Sequence, residues 1–365
     1  MKRIILICIV TCIFSFSIFS EPAQEEAANA SGEAELIEEN LTEEESPVEE
    51  VQAPKEEKKT FFSISARPDI SFMSGDIKEY VIDPLCGNTD DIVSRLDWHI
   101  KAMPVISLDL KATVFRYVFL NFDGKMGISN SNDYIEDYDW LNYSKKEWKD
   151  DPRTEVTNYS KHTNIIQRYN DVSIFAGANF YLPYEIILSP FVGYHYDYVE
   201  MDAQNGYFEY KENNRERINI SGRGLKYKQE SNAFMLGFNI LVNSFSHFSI
   251  ESSYRFSPYL FFINDLDYHF QRGILFYDQM NPTFSLETKQ IIMYNFGSRK
   301  KNEPSHSAGV TGYIHYLNFV KGPTSQAYIT QNGTVIPGTW KVDIGNSGIS
   351  RFLWSVGLIY QLKIN

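Results

Sequence analysis

Cysteine is nearly absent from this chain, and its scarcity excludes several classes of site. The sequence contains 3 cysteines, and two of them, Cys8 and Cys12, fall within an N-terminal stretch with the character of a secretory signal. Cys86 is then the single thiol of the exported chain. The sequence therefore excludes an intrachain disulfide framework, a CxxC redox site and a metal site built from several cysteines.

Long apolar runs and a basic surface are also missing. After the N-terminal stretch, no segment approaches the ~18 consecutive apolar residues of a transmembrane helix. The net charge is −13, and most of it comes from residues 21–59, which contain 14 Glu and 3 Lys. Because the N-terminal stretch contributes +2, residues 60–365 carry only −4. A folded part this close to neutrality offers no basic field for nucleic acid.

The first 60 residues divide into two segments. A basic start leads into an apolar stretch that ends at Phe19, and Ser20 offers a small residue for cleavage, which predicts a signal peptide over 1–20. Residues 21–60 are rich in Glu, Ala and Pro, so they cannot bury enough apolar surface to offset the entropy of ordering. We expect an acidic, disordered linker there and one folded domain over 61–365.

From residue 61 onward, apolar and polar residues alternate with the period of two that is typical of β-strands. The alternation is clearest in four segments: 106–114, 172–182, 233–240 and 351–364. The chain holds 26 Phe, 24 Tyr and 5 Trp, and charges and glycines occupy the face opposite the apolar one. These features favour an all-β fold, an antiparallel membrane barrel with a wet interior and aromatic residues at both interfaces. The last strand can close such a barrel against the first.

Two observations leave another all-β fold open. The same alternation describes a soluble β-sandwich, in which one face of each sheet meets a core. The sequence ends in Asn365, whereas many outer-membrane barrels end in an aromatic residue.

The connections differ in length, as they do in outer-membrane barrels. Tight turns are predicted at 179–185 and 242–247. Long polar segments, which we expect to be loops on the outer side, lie at 121–164, 201–228, 265–283 and 321–347.

Two short motifs could carry chemistry. Asp137 and Asp139 are separated by one residue, so an extended backbone points both carboxylates to the same side. Carboxylates that close tend to share a proton, with one pKa raised, which supplies an acid or a base near neutral pH. Asp267 and His269 have the same spacing, and a carboxylate beside a histidine prepares the imidazole to take a proton from water.

Other chemistry has less support in the sequence. Taken singly, an Asp-x-Asp motif usually marks a solvated loop or a cation contact. Histidine and carboxylates also suit zinc or calcium, but neither HExxH nor an EF-hand spacing occurs. The GxSxG motif of serine hydrolases and a phosphate-binding loop are missing as well. The sequence therefore predicts no metal and no cofactor.

Several segments, taken in order, resemble the omptin family of outer-membrane proteases of Gram-negative bacteria. The matching segments are Ser-Gly-x-x-x-Glu at 74–79, Leu-Asp-Trp at 96–98, Asp-x-Asp-Trp at 137–140, Ser-x-His at 160–162, Tyr-Lys-Gln at 227–229 and Asp-x-Asp-x-His at 265–269. The resemblance implies an antiparallel transmembrane β-barrel of about ten strands that extends above the outer membrane. Its site would lie in a groove at the outer, extracellular end.

The resemblance also implies roles for the two motifs. Asp267 and His269 would form the dyad that orients and activates a hydrolytic water. Asp137 would help to bind that water from across the groove, with Asp139 as its partner carboxylate. The water would attack the scissile carbonyl without an acyl-enzyme intermediate.

Substrate preference follows from two further matches. Glu79 and Asp265 correspond to the carboxylates at the base of the family's S1 pocket, which implies peptide or protein substrates with a basic residue at P1, often in a dibasic pair. Asp150 is a weaker match to a further acid that contacts substrate.

One family feature does not match. The family binds lipopolysaccharide through a Tyr-x-Glu-x-Arg strand motif and a distant arginine. Here residues 194–198 read Tyr-His-Tyr-Asp-Tyr, and Glu230 stands near the place of the arginine. We therefore expect the lipopolysaccharide motif to be absent, so that activity does not need this lipid or the host membrane lacks it.

The main alternative is a non-enzymatic barrel, either a porin or an adhesin, that retains the scaffold. In both cases we expect a monomer in contact with outer-membrane lipid.

Overall fold

The computed structural model describes residues 62–82, 92–140, 156–243, 247–296 and 305–364. All of them belong to the second of two compact units, Glu57–Asn365. The predicted signal peptide and linker, Cys86 and Asp150 lie outside the described residues. Within these ranges, no helix has the length and apolar character needed to cross a membrane.

The described chain is almost entirely β-strand, apart from a 3-10 turn at Lys211–Asn213. The strands are β1 (Phe62–Ile82), β2 (Ile92–Val114), β3 (Val118–Gly127), β4 (Asn130–Asp139), β5 (Asn158–Ala178), β6 (Phe180–Leu182), β7 (Ile186–Tyr210), β8 (Arg217–Val242), β9 (Phe248–His269), β10 (Ile274–Gln279), β11 (Thr283–Phe296), β12 (Ser305–Tyr328) and β13 (Lys341–Ile364).

These segments form a closed antiparallel barrel. β3 and β4 run end to end between β2 and β5, and β10 and β11 run end to end between β9 and β12. The short β6 only extends the hairpin between β5 and β7. Each end-to-end pair counts as one stave, so the barrel has ten staves, and β1 closes it by pairing with both β2 and β13. The predicted fold class is confirmed.

An apolar belt surrounds the barrel at the end that holds Phe62 and Ile364. Its members are exposed, and neighbours in the belt face one another across paired strands, as Ile70 does with Leu358 and Ile292 with Val310. Other members are Leu108, Leu120, Ile174, Val192, Phe234 and Val356. A continuous exposed band of this kind is the lipid-facing surface of a transmembrane barrel.

The barrel interior is filled by side chains. Trp98, Tyr169, Phe175, Tyr227 and Phe261 are among the largest fully buried residues. At the belt level, charged residues also point inward and pair across the lumen. The shortest pairs are Lys125 with Asp171 and Arg255 with Asp123, each at 2.7 Å, Arg67 with Glu251 at 2.8 Å and Arg351 with Asp197 at 2.9 Å.

Irregular positions separate the belt from the rest of the barrel. β3 gives way to β4 at residues 128–129, β10 gives way to β11 at 280–282, and pairing registers shift on β2, β5, β8, β9 and β12. We call the part with the belt, Phe62 and Ile364 the belt half. The part with the ends of β4 and β9 is the site half.

The bulge on β2 shows why these irregularities matter. On the belt side of this bulge, the odd-numbered residues Ser107 and Asp109 point inward. On the site side, the even-numbered residues Trp98 and Ile100 point inward, so the alternation along β2 changes phase at the bulge. The extra residue is Ala102, with a φ of 50°, and its backbone N–H donates to Ser74 Oγ at 2.9 Å.

Gly75 completes this bulge on β1. Its φ is 140°, and a Cβ there would lie 2.0 Å from the carbonyl oxygen of Phe352, so only glycine fits. The Ser-Gly pair of the family-like motif at 74–79 therefore sets the phase that turns Trp98 into the lumen.

The prediction of four long loops was wrong for most of their length. Residues of β7 and β8 occupy nearly all of 201–228, and strands also extend into the other three segments. The error has a physical cause: in the site half the strands face water outside and polar groups inside, so the alternation that reveals a membrane strand fades. The tight turn at 179–185 is confirmed, since β6 and β7 flank residues 183–185. Residues 244–246 of the turn predicted at 242–247 lie outside the described residues.

Candidate active site

The predicted catalytic residues converge on the inward face of the site half. Asp137 and Asp139 lie at the end of β4, and Asp267 and His269 at the end of β9. Asp267 is paired in register with Tyr227 and with Phe276. The two motifs lie on different sides of the barrel, so the fold, and not the sequence spacing, brings them together.

Asp267 and His269 form the expected pair. His269 Nε2 lies 2.5 Å from Asp267 Oδ2, and because the partner is a carboxylate, the Nε2–H donates. Nδ1 is then the nitrogen able to accept a proton. The edge of the His269 ring meets the Phe276 ring at 5.2 Å between centroids, which fixes the imidazole plane.

Asp137 and Asp139 lie side by side and are both partly buried. The Ser94 hydroxyl donates to Asp137 Oδ1 at 3.3 Å, and Asn158 Nδ2 donates to Asp139 Oδ2 at 3.4 Å. Burial, the charge of Asp139 and the charge of Asp267 raise the pKa of Asp137 to about 8, against an opposing effect of Arg272. The pair therefore holds a proton near neutral pH, and Asp137 lies within electrostatic reach of the dyad.

Glu79 and Asp265 lie deeper, and both are buried. The Trp98 indole N–H donates to Glu79 Oε2 at 2.5 Å, and the Tyr227 hydroxyl donates to Asp265 Oδ2 at 3.3 Å. Burial raises the pKa of each carboxyl well above its usual value, and neighbouring acids add to the effect. A nearby cation would therefore stabilise the ionised form of both carboxyl groups.

A third buried acid, Asp278, lies directly opposite Asp265 in the pairing of β10 with β9. Burial raises the pKa of Asp278 to about 6, although hydrogen bonds with Thr324 and Asp265 oppose the rise. Sequence reasoning missed this residue because no motif marks it. A tight turn between His269 and Ile274 would have revealed it, since such a turn places 278 opposite 265.

Segments that resembled the family supply the walls of this site. Gln229 Nε2 donates to the Tyr227 hydroxyl at 2.8 Å and so holds it toward Asp265. The rings of Trp98 and Tyr227 stack at 5.3 Å. Three motifs that are distant in sequence therefore share one wall.

A Ser–His pair lies beside the aspartates. Ser160 is paired in register with Asp137, and its hydroxyl lies 2.9 Å from His162 Nε2. His162 Nδ1 lies 2.7 Å from the backbone carbonyl of Asn205, so Nδ1 carries the proton and Nε2 accepts from Ser160. Burial lowers the pKa of His162, which keeps this imidazole neutral.

The acids of the site lack cationic partners. Among the described residues, Glu79, Asp137, Asp139, Asp265 and Asp278 form no ion pair with any lysine or arginine, and Asp267 pairs only with His269. In the same ranges, no group of three or more His, Cys, Asp or Glu side chains is arranged to hold a metal ion.

The outer surface near residues 194–198 differs from the sequence expectation in one respect. Tyr196 hydrogen bonds to Glu230. However, Arg168 of β5 lies over the Tyr198 ring, 5.4 Å from its centroid, and this cation was overlooked in the sequence.

Comparisons with known proteins agree with this arrangement. The family model described as Omptin matches residues 60–327. The outer membrane protease OmpT from Escherichia coli superimposes with a TM-score of 0.68 over 83% of this chain and 99% of that protein, at 18% identity. This likeness shows the fold.

A plasminogen activator of Yersinia pestis is 28% identical over 102 residues. That match covers 28% of this chain and 31% of the relative's length.

Proposed function

The chain belongs to the omptin family, and from this premise we propose that it is an outer-membrane endopeptidase that cleaves peptide bonds after arginine or lysine. The observation that carries the proposal is the Asp267–His269 dyad, with a 2.5 Å hydrogen bond, facing a proton-holding aspartate pair above a pocket of buried acids.

The dyad supplies the base. Asp267 holds the Nε2 proton of His269, so Nδ1 is free to accept a proton from water as the oxygen attacks the scissile carbonyl carbon. The carboxylate then stabilises the imidazolium that forms. That imidazolium can pass the proton to the leaving amine as the C–N bond breaks, which returns His269 to its starting state without an acyl-enzyme.

Asp137 positions the water from the other side. Because it shares a proton with Asp139, the pair faces Asp267 with less negative charge than two ionised carboxylates would carry. A free carboxyl oxygen of Asp137 can then accept a hydrogen bond from one O–H of the water, while His269 removes the proton of the other O–H.

The buried acids define the preference for a basic P1 side chain. Glu79 and Asp265 are held by neutral donors, Trp98 and Tyr227, which orient them without neutralising them. A buried charge without a partner is costly, so an arginine or lysine side chain supplies what the pocket lacks. Glu79→Gln should therefore raise the KM for peptides with a basic P1.

The barrel supports a location of the site on the extracellular side. The apolar belt marks the membrane level, and the site half projects from it, on the opposite side from Phe62 and Ile364. With Phe62 and Ile364 on the periplasmic side, the site faces the extracellular side.

The test is cleavage of a fluorogenic peptide with an Arg-Arg or Arg-Lys core by the protein refolded in detergent. We expect wild type to cleave after the basic residue, and His269→Ala and Asp137→Ala each to lose most of the activity. His99→Ala is the matched control, because His99 is also bonded to a carboxylate, that of Asp76, but on the outward face. This variant should retain activity.

Cleavage that survives His269→Ala would refute the mechanism. Cleavage by wild type at bonds without a basic P1 would refute the specificity. A porin is disfavoured, because the described interior is filled by buried aromatic and charged side chains. An adhesin would show no activity that depends on these residues.

A further inference from the structure

The strongest unassigned feature of the site half is the pair of facing acids Asp265 and Asp278. Asp265 is 1% exposed and Asp278 is 6% exposed. In each, one carboxylate oxygen, Oδ1, is buried and has no hydrogen-bond partner among the described residues. A buried carboxylate oxygen without a donor is costly to keep, so these atoms point to a ligand with N–H donors.

The surroundings of Asp278 contain acids and neutral groups. Asp265 and Asp267 face it from β9, Glu79 from β1 and Tyr227 from β8. Thr324 of β12 is a hydrogen-bond partner, and Ser347 of β13 lies beside it. No described lysine or arginine forms an ion pair with it.

We propose that Asp278 is a third carboxylate of the P1 pocket, and that a cationic P1 side chain enters this pocket in exchange for the proton that Asp265 and Asp278 share. The inference rests on the proposed function and names a specificity residue that the sequence motifs do not include. Its reasoning is electrostatic: close carboxylates cannot all ionise while the pocket is empty, but an incoming cation removes the repulsion that holds the proton there.

The exchange makes substrate selectivity depend on pH. The raised pKa of Asp278, about 6, belongs to the empty pocket. Below this pH the acid is protonated and attracts a cation weakly, whereas above it the carboxylate attracts the cation fully. Preference for a basic P1 over a neutral one should therefore grow as the pH rises through about 6.

The variant that isolates this effect is Asp278→Asn. The amide keeps the shape and can donate to Asp265 as the protonated acid does, but it cannot ionise. For a peptide with arginine at P1, the wild-type to variant ratio of kcat/KM should be near one at pH 5 and rise to roughly tenfold at pH 8, through KM. For the same peptide with citrulline at P1, a neutral isostere of arginine, the ratio should stay near one.

Asp133→Asn is the matched control. Burial raises the pKa of Asp133 to about 6 as well, but this acid accepts from the backbone N–H of Lys101 at 2.5 Å and lies outside the pocket. Its ratios should be independent of pH and of the P1 residue. A ratio for Asp278→Asn that does not vary with pH, or that is the same for citrulline, would overturn the proposal.

A binding measurement separates this inference from the proposed function. The probe is n-butylguanidinium, titrated calorimetrically at pH 6 into the refolded protein in two buffers with different ionisation enthalpies. Wild type should release protons on binding, and Asp278→Asn should release fewer and bind more weakly at pH 8. Proton release without peptide cleavage would refute the proposed protease function but support the role of Asp278 in the pocket. Peptide cleavage together with equal proton release by wild type and Asp278→Asn would refute only the role of Asp278 in the pocket.

Discussion

Charged side chains in the lumen have different partners in the belt half and in the site half of this barrel. In the belt half, cations and anions meet across the lumen, as Lys125 does with Asp171 at 2.7 Å and Arg255 with Asp123 at 2.7 Å. In the site half, acids gather with neutral donors, as Glu79 does with Trp98 at 2.5 Å. The same strands carry both arrangements, on either side of the irregular positions.

The difference shows which half is organised for stability and which for a ligand. A charge that is already paired inside a closed lumen gains little from a further counter-ion. A buried acid without a cation is stabilised by any cation that can reach it. The fold tolerates the second arrangement because part of its cost is avoided by protonation. The pKa of Asp137 is raised to about 8 and that of Asp278 to about 6, which indicates that these acids are protonated at a higher pH than usual.

Removing a cation from the belt half should have the largest effect on stability. Lys125→Met keeps the side-chain length but removes the nearest cation of Asp171, which then has only His195 at 3.7 Å as a charged partner, so we expect a loss of about 3 kcal/mol in the free energy of unfolding. Urea unfolding of the protein refolded in lipid vesicles measures it. The double variant Lys125→Met, Asp171→Asn should recover much of the loss, since no unpaired charge remains. Equal stability of Lys125→Met and wild type would contradict the comparison.

Removing an acid from the site half should have a smaller effect of the opposite sign. The folded state raises the pKa of Asp137 from 3.8 to about 8, so between these values it binds a proton that the unfolded chain releases. The free energy of unfolding should therefore fall as the pH rises across this window. Asp137→Asn cannot ionise, so its stability relative to wild type should be higher at pH 8 than at pH 4.

The control for this pH series is Glu212→Gln, at an exposed acid on the turn Lys211–Asn213. Its pH slope, measured by urea unfolding, should match that of wild type. If Asp137→Asn also kept the wild-type slope, the raised pKa of Asp137 would have no role in stability.

The smallest effect is expected on the outer surface around Tyr196 and Arg168. Because Tyr196 is bonded to Glu230 and not to a cation, lipopolysaccharide added to the refolded protein should change kcat/KM little. Arg168→Gln should behave as wild type in this assay. A large, required activation that disappears in Arg168→Gln would show that Arg168 binds the lipid and that the altered motif still forms a lipopolysaccharide site.

Strands of the belt half could be predicted from the sequence, whereas strands of the site half could not. Strands such as 351–364 were predictable because lipid on one side and a polar lumen on the other impose an alternation that the residues show. For the upper part of β7 and β8 the sequence predicts a loop, because both faces of these strands are polar there. The candidate site residues at 137, 139, 267 and 269 are predicted by their spacing of two, which any extended backbone turns into a shared face, together with the resemblance to the family's motifs.

The sequence by itself determined the membrane alternation and the two carboxylate motifs, since each is a property of neighbouring residues. Only the tertiary structure decided which acids share a pocket. Trp98 reaches Glu79 because the Ala102 bulge, bonded to Ser74, reverses the phase of β2. Asp278 meets Asp265 because a hairpin sets the register of β10 against β9. Phase and register depend on pairing between strands, and pairing is a contact that no local pattern records.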